Sequence, residues 1–539
     1  MALADFAIVI LAAGKGTRLR SALAKVLHRA GGRTLVEHVV RACTPLKAGA
    51  TLGVVGYQAP EVSAILEPLG IQTVLQKSQR GTGHAMLVAR RAIERSRKRP
   101  SPSPAGRRAT GRHANAPVRF VIVLPGDAPL IRTETLAALA RIHRESNAAA
   151  TILSAEVPNP AGYGRILHHE DGSVAAVVED SALTSDQRGI AEINSSIYAF
   201  TLEKLWPVLG RVRPSNMHRE IYLTDVIGLL REQGEMVLAR IVADADEVLG
   251  CNTRADLAGV DLVFRRRKRA ALMDSGVTIQ MPETVLVDPD VVVGMDTVLE
   301  PGVQLLGRTR IGADCTIRTG SILHDSTLED GVLIKPYTVV SASHLAADTQ
   351  LGPFTHLRGA VRLMKDARLG NFVEAKNSVI GEGVKAMHLT YLGDARVGSG
   401  TNVGAGTITC NYDGVHKHPT TIGRGVFIGS DSALVAPVRV GDGAYIGAGS
   451  VITENVPANA LALGRGRQVN KPGWAAARRR ALASAAKEQS KSISKMSRSH
   501  KTPRPSVTAR VSTPKRTAAK RRPAPKRPAP KHSARVPKH

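Results

Sequence analysis

Two hydrophobic rhythms divide the chain. Up to about residue 250, short apolar runs alternate with stretches of helical period. The segments FAIVILAAG, TLGVVGY, IQTVLQ, VRFVIVLPGD and ATILSAEV predict strands, and TLVEHVVRAC and TETLAALARIHRES predict helices. Apolar strands alternating with helices at this spacing predict a parallel sheet covered on both faces. Residues 252–276 read as one connecting helix, opening on a Thr253–Asp256 capping box and stopping at Gly276. Its basic run, Arg265 to Arg269, is expected as a solvated helix face. From residue 277 the period becomes six. Aliphatic residues stand at 287, 293, 299, 305, 311, 317 and 323, again at 351, 357, 369, 397 and 403, and then from 422 to 452 without a break. Such a repeat predicts three short flat strands per turn of a triangular solenoid, each aliphatic stacked on the one below. The breaks at 324–350 and 409–421 are expected as loops projecting from one edge.

Composition sharpens this picture. Aromatic residues make up 3% of the chain, which suits a solenoid interior too narrow for rings. The 539 residues carry a net charge of +29, which invites a nucleic-acid reading. Residues 474–539 hold +19 of that charge and 95–117 hold +7, leaving +3 for the rest. Both basic segments are rich in Pro, Ser and Ala and are expected as disordered: an insert at 95–117 and a tail at 474–539. The expected organisation is 1–251, a linker helix at 252–276, the solenoid at 277–473, and the tail. Four dispersed cysteines exclude a disulfide framework. No apolar run reaches the length of a bilayer span, and the N-terminus is read as carrying no signal peptide. A cytoplasmic protein without membrane insertion is the expectation.

Candidate chemistry begins at the turn after the first strand, Leu11-Ala12-Ala13-Gly14-Lys15-Gly16-Thr17-Arg18-Leu19. Its glycines let backbone N–H groups approach a phosphate chain, and Arg18 and Lys25 add positive charge. It is not the dinucleotide fingerprint, whose third glycine would fall at Leu19, and it lacks the Gly-Lys-Ser/Thr of a P-loop. With Lys25 it resembles the L-x-x-G-x-G-T-R-[ML]…P-K signature of sugar-nucleotide pyrophosphorylases. Ala24 stands where that family usually has proline, a change expected to loosen the loop. Gln76 and QRGTGHA (79–85) resemble the family's uracil-recognising segment, with Gly81 and Thr82 against the ring. LPGDAP (124–129) places Asp127 at the C-terminal end of a strand, where ligands sit in open α/β sheets and a carboxylate can hold Mg²⁺. Pro125 replaces the aromatic often found there. Tyr163-Gly164-Arg165, Glu179, Glu192-Ile193-Asn194 and Gly250-Cys251-Asn252 follow in the matching order, with Asn194-Ser195-Ser196 in place of Asn-Thr-Gly.

In the second half, NFVEAK (371–376) and HLTYLGD (388–394) precede GAGTITCNYDG (404–414). An amine attacking a thioester must lose a proton, which calls for a base near neutral pKa. His388 held by Glu374 fits that need. Arg358 and Lys376, cations on neighbouring coils, suit an anionic sugar phosphate. With these segments, residues 5 to 473 resemble the bacterial bifunctional family of N-acetylglucosamine-1-phosphate uridylyltransferases/glucosamine-1-phosphate N-acetyltransferases. The resemblance implies a Rossmann-like α/β nucleotidyltransferase domain followed by a left-handed parallel β-helix of hexapeptide repeats.

That resemblance also implies roles. Leu11, Ala12, Ala13, Gly14, Lys25, Gln76, Gly81 and Thr82 would contact the nucleotide. Gly164, Glu179 and Asn194 would hold the sugar, and Asp127 and Asn252 would ligate Mg²⁺. His388 would be the acetyl-transfer base. Arg358, Lys376, Tyr391 and Asn402 would bind the amino-sugar phosphate, and Ala405, Asn411, Tyr412, Ser430, Ala448 and Arg465 would line the acetyl-CoA site. A homotrimer is implied, with acetyl sites between neighbouring solenoids. LRGA (357–360) stands where the family commonly has L-R-P-G. A single-activity ADP-glucose or GDP-mannose pyrophosphorylase would need neither His388 nor the 411–414 loop. A nucleic-acid-binding scaffold would not need Lys25, Asp127, Asn252 and His388 together. Two readings of the basic tail stand side by side: a solvated, functionally silent extension, and a segment that contacts polyanions or nucleic acid without sequence preference.

Overall fold

The computed structural model describes residues 2–98, 117–213 and 220–499. The chain forms two compact units, 1–465 and 466–539. The greater part of the basic insert, 99–116, and residues 500–539 lie outside the described residues.

The N-terminal half of the larger unit is built on a mixed sheet. Its strand order is Val237–Ile241, Ala150–Glu156, Glu192–Thr201, Phe120–Pro125, Phe6–Ala12, Ala50–Val55 and Gln72–Leu75. All neighbours pair in parallel except Glu192–Thr201, which is antiparallel to both of its own. An antiparallel hairpin, Arg165–His168 and Val174–Val178, hangs from that strand. Phe6, Ile8 and Ile10 face one core while Ala7 and Val9 face the other, all fully buried. Two-sided burial is why the strand reads as an unbroken apolar run. Phe6–Ala12 has one crossover partner on each side, so a crevice opens at its C-terminal end, the usual ligand site of such sheets.

The connecting helix spans Arg254–Asp274, and the reciprocal Thr253–Asp256 capping box is present. Its basic run departs from the expected solvated face. Arg265 pairs with Asp261 and Asp288, Arg267 donates to the Leu130 carbonyl and pairs with Asp244, and buried Arg269 donates to the Val285 carbonyl. Phe264 stacks on His38 with centroids 3.8 Å apart. The run ties the sheet to the first solenoid coils because alternate arginines find carboxylates and carbonyls on both sides.

The solenoid is a left-handed parallel β-helix whose interior is one continuous column of aliphatics. Burying each such side chain contributes roughly 1.5–3 kcal/mol. The break expected as a loop at 324–350 is not one. Strands Ile322–His324, Thr327–Leu328, Leu333–Ile334, Val339–Ser341 and His344–Leu345 continue the stack. The step from Leu323 to Leu328 is five residues instead of six, so a coil shortens from 18 residues (Val298 over Thr316) to 17 (Arg310 over Thr327). The step from Val340 to Leu345 is five residues as well, so in this stretch one residue is removed at each of two corners and the register slips twice, but the wall stays closed. The second break does project: Arg396 pairs with Thr421, 25 residues on, and residues 412–419 stand out from the coil.

In the smaller unit, Trp474–Ser499 is a helix, which corrects the expectation of disorder from residue 474. No glycine or proline falls between 474 and 502, and alanine with arginine gives high helix propensity.

Two candidate active sites

The first site lies in the crevice at the end of Phe6–Ala12, where a cavity of about 510 Å³ opens. Leu11, Ala13, Gly14, Arg18, Lys25, Gln76, Gly81, Thr82, Asp127 and Asn252 line it, and buried Ala12 supports its floor from the strand. Gly16 has φ +70, and a Cβ there would lie 2.5 Å from Lys25 Cβ, so the two arms of the loop can touch only because residue 16 is glycine. Lys25 Nζ forms an ion pair with Asp127 and donates to Asn252 Oδ1 at 2.8 Å. Arg18 donates to the same oxygen at 2.9 Å. A cationic pair thus meets the two residues read as metal ligands. Asp127 and Asn252 converge over Gly250, whose added Cβ would lie 3.4 Å and 3.6 Å from their side chains. Two oxygen donors beside a glycine-rich cationic loop fit a divalent cation that takes its other ligands from water and phosphate. Between them, burial pushes the Cys251 thiol up to about 12, so it stays protonated.

Gly81 has φ +92, and a Cβ there would press on the Ile221 carbonyl. Thr82 Oγ1 accepts from Leu223 N–H at 2.9 Å, and Gln76 donates to the Gly81 carbonyl. These bonds bring Tyr222 to the cavity wall, a residue the motif reading missed. Gly164, Glu179 and Asn194 are not among the residues that line this cavity, but they come together: a Cβ on Gly164 would lie 3.6 Å from Asn194 Cβ and 3.7 Å from Glu179 Oε2. Burial raises the Glu179 carboxyl, although a Thr224 hydroxyl donates to it at 3.1 Å. Asn194 is buried and donates to the Tyr198 hydroxyl at 2.8 Å.

Ala24, where a looser loop was expected, is held in place by burial and a hydrogen bond. It is fully buried at φ −56, and its N–H donates to Gln58 Oε1 at 2.6 Å.

The second site lies on the solenoid where strands Arg368–Lys376 and Lys385–Gly393 pass unbroken round a corner. The register pairs Arg358 with Lys376, Glu374 with Tyr391, and Asn371 with His388. The carboxylate expected on His388 is elsewhere. His388 Nδ1 bonds to Asn371 Oδ1 at 2.9 Å, while Arg358 donates to Glu374 at 2.8 Å from Nε and 2.5 Å from Nη2. Arg358 takes the carboxylate through two charge-assisted bonds. Lys376 meets Lys417 from the projecting loop, and that ammonium, with Arg358 behind it, holds Lys376 below the ordinary lysine range. Three crowded cations suit a dianionic phosphate. Sequence reasoning missed Lys417, although its place in the interrupting loop was a signal.

On the following coils, Gly406 N–H donates to the Leu389 carbonyl at 2.8 Å, setting Ala405 beside the His388 strand. Asp431 N–H reaches the Ala405 carbonyl, Gly449 N–H the Ser430 carbonyl, and Arg465 the Ala448 carbonyl at 2.7 Å. These three residues therefore ascend one edge. Asn411 is buried and donates to Asp394, Tyr412 is exposed, and Asn402 is half-buried. Asp413 braces the loop by accepting from the backbone of His416 and Val415 and from the His418 ring, which lowers its carboxyl to about 2.

Residues 8–189 match the MobA-like NTP transferase domain, and residues 419–454 match the bacterial transferase hexapeptide family of six repeats. The bifunctional protein GlmU of Koribacter versatilis is 48% identical, the match covering 88% of this chain and 97% of that one. The protein of that name from Solibacter usitatus is 46% identical over 88% and 97%, and that from Anaeromyxobacter sp. strain Fw109-5 is 45% identical over 88% and 93%. One relative after another spans both the sheet that carries Lys25 and the solenoid that carries His388, and the chain belongs to the bifunctional GlmU family.

Proposed function

We propose that this chain makes UDP-N-acetylglucosamine in two steps on two separate sites. The solenoid acetylates glucosamine 1-phosphate with acetyl-CoA. The α/β half then transfers UMP from UTP to N-acetylglucosamine 1-phosphate and releases pyrophosphate. The observation that carries this reading is the pairing, in one chain, of a cation-rich phosphate loop ending on Asp127 and Asn252 with an exposed histidine beside a cation cluster.

In the acetyl step, His388 Nε2 takes the proton of the attacking amine, and Asn371 orients the ring through Nδ1. Glu374 acts through Arg358, which with Lys376 and Lys417 holds the sugar phosphate; Tyr391 and Asn402 frame the sugar. Ala405, Asn411, Tyr412, Ser430, Ala448 and Arg465 take the acetyl-CoA. In the uridylyl step, Leu11 to Gly14 admit the nucleotide, Gln76, Gly81 and Thr82 hold the base, and Gly164, Glu179 and Asn194 hold the acetylated sugar. Arg18 and Lys25 neutralise the phosphates, so the sugar phosphate oxygen can attack in line. Asp127 and Asn252 would hold Mg²⁺, which would supply positive charge toward the leaving pyrophosphate.

The acetyl site supports a homotrimer reading. Exposed Tyr337, Phe354 and Phe372 stack up one corner at 5.5 Å spacings, and exposed Leu389 continues the ladder beside His388. A second copy covering this apolar stripe would complete the site. Among the described residues no helix is long and apolar enough to cross a membrane; the reading adopted is cytoplasmic. The basic tail is read as a polyanion tether.

The test is a coupled assay with glucosamine 1-phosphate, acetyl-CoA, UTP and Mg²⁺, reading UDP-N-acetylglucosamine. Asp127→Ala should remove at least ~99% of uridylyl transfer and spare acetyl transfer, and His388→Ala should do the reverse, from typical losses of ~10²–10⁴ for such groups. Loss of both activities from either change would refute separate sites.

A further inference from the structure

The segment Gly56-Tyr57-Gln58 touches both arms of the phosphate loop. Tyr57 N–H donates to the Ala13 carbonyl at 3.1 Å, and its hydroxyl donates to the Ala22 carbonyl at 3.1 Å. Lys15 Nζ lies 5.4 Å over the Tyr57 ring. A Cβ on Gly56 would lie 2.9 Å from Ala13 Cβ, so the approach needs glycine. Gln58, not a glycine, stands at φ +49, a left-handed position that an L-residue keeps only when its surroundings impose it. What it does there is accept the N–H of fully buried Ala24, the residue before Lys25.

We propose that Tyr57 and Gln58 are positioning residues that brace the loop from Ala13 to Lys25, with the Gln58 amide fixing Ala24 where a proline ring would otherwise stiffen the chain. This rests on the uridylyl-transfer reading of the first site. Ala24 sits at φ −56, within the range of proline, so the backbone already has the shape a proline would impose. Alanine leaves an N–H that proline lacks, and a buried N–H without an acceptor is costly. Gln58 supplies the acceptor. The Lys25 ammonium, one residue on, then meets Asn252 and Asp127 instead of swinging on a free loop.

Gln58→Ala should lower kcat for uridylyl transfer about tenfold, or ~1.4 kcal/mol. KM for N-acetylglucosamine 1-phosphate, whose sugar is read as held by Gly164, Glu179 and Asn194, should change less than twofold. Acetyl transfer on the solenoid should be unchanged, which controls for folding. Gln58→Glu keeps an acceptor and should stay within threefold of wild type. Ala24→Pro in the Gln58→Ala background removes the orphaned N–H and should restore the rate to within threefold. Amide exchange across residues 13–28 should quicken in Gln58→Ala and recover in the double variant. A Gln58→Ala enzyme within twofold of wild type, or one that neither Ala24→Pro nor Gln58→Glu improves upon, would overturn the brace. If the unaltered chain forms no UDP-sugar, the reading of function fails, and the brace is still decided by the exchange rates.

Discussion

Ser196 sits in a left-handed backbone position, φ +61, at the bulge between Asn194 and Ile197, and it lines the cavity at the end of Phe6–Ala12. Glycine adopts this conformation freely, whereas other residues carry a strain of about 1–3 kcal/mol. Glycine also gains freedom in the unfolded chain, which offsets part of the relief. Ser196→Gly is therefore expected to stabilise the uridylyl half by about 1 kcal/mol, raising its melting temperature by roughly 2–4 °C. A melting temperature that holds or falls would refute the strain argument. Lys25, Asp127 and Asn252 were legible as residues because each stands in a short motif whose chemistry depends on spacing along the chain. The partner of His388 was not. Asn371 and Glu374 lie three apart on one strand, and the choice between them is made by Arg358 from the coil below, which takes the carboxylate. No spacing rule reveals which neighbour a side chain will prefer.

Helices Leu35–Cys43 and Thr133–Ser146 each bury a histidine against the sheet. His38 bonds the Ala30 carbonyl under the Phe264 ring, and His143 lies between the hydroxyls of Thr151 and Thr201. Burial lowers both to about 4. The unfolded chain takes up these protons near pH 6.5, whereas the folded chain resists until about 4. Stability from neutral burial is thus fully present above pH 6.5 and is lost as pH falls toward 4, by on the order of 3 kcal/mol per histidine. Denaturant unfolding followed from pH 7 to 4 should show this slope, and His143→Gln should flatten it. Equal slopes in both proteins would count against the assignment. Elements differed in how well they could be read. The parallel strands and six-residue coils were plain because a buried face repeats at a fixed period. The antiparallel strand Glu192–Thr201 was hidden, since its polar Asn194, Ser195 and Ser196 interrupt the apolar run. A five-residue side of the solenoid looked like a loop because a one-residue slip moves every later aliphatic out of a six-residue count.

The net charge of +29 is a property of the molecule that its catalytic halves do not share. Residues 474–539 carry +19, part of it on the helix Trp474–Ser499. Basic residues strung along a chain bind polyanions by releasing condensed counterions, so affinity falls steeply with salt and ignores sequence. Arg465, the last cation read into the acetyl site, is tied within its own unit to the Ala448 carbonyl. Removing 474–539 should therefore leave acetyl and uridylyl transfer within twofold of the full chain and abolish retention on double-stranded DNA at low salt. Removing 500–539 alone should leave intermediate retention with a shallower salt dependence, because the helix keeps Arg478, Arg479, Arg480, Lys487 and Lys491. Retention that survives loss of 474–539 would place the DNA contact elsewhere, with the basic insert at 95–117 the next segment to remove. A collapse of acetyl transfer on the same deletion would mean that the tail serves the solenoid and is no tether.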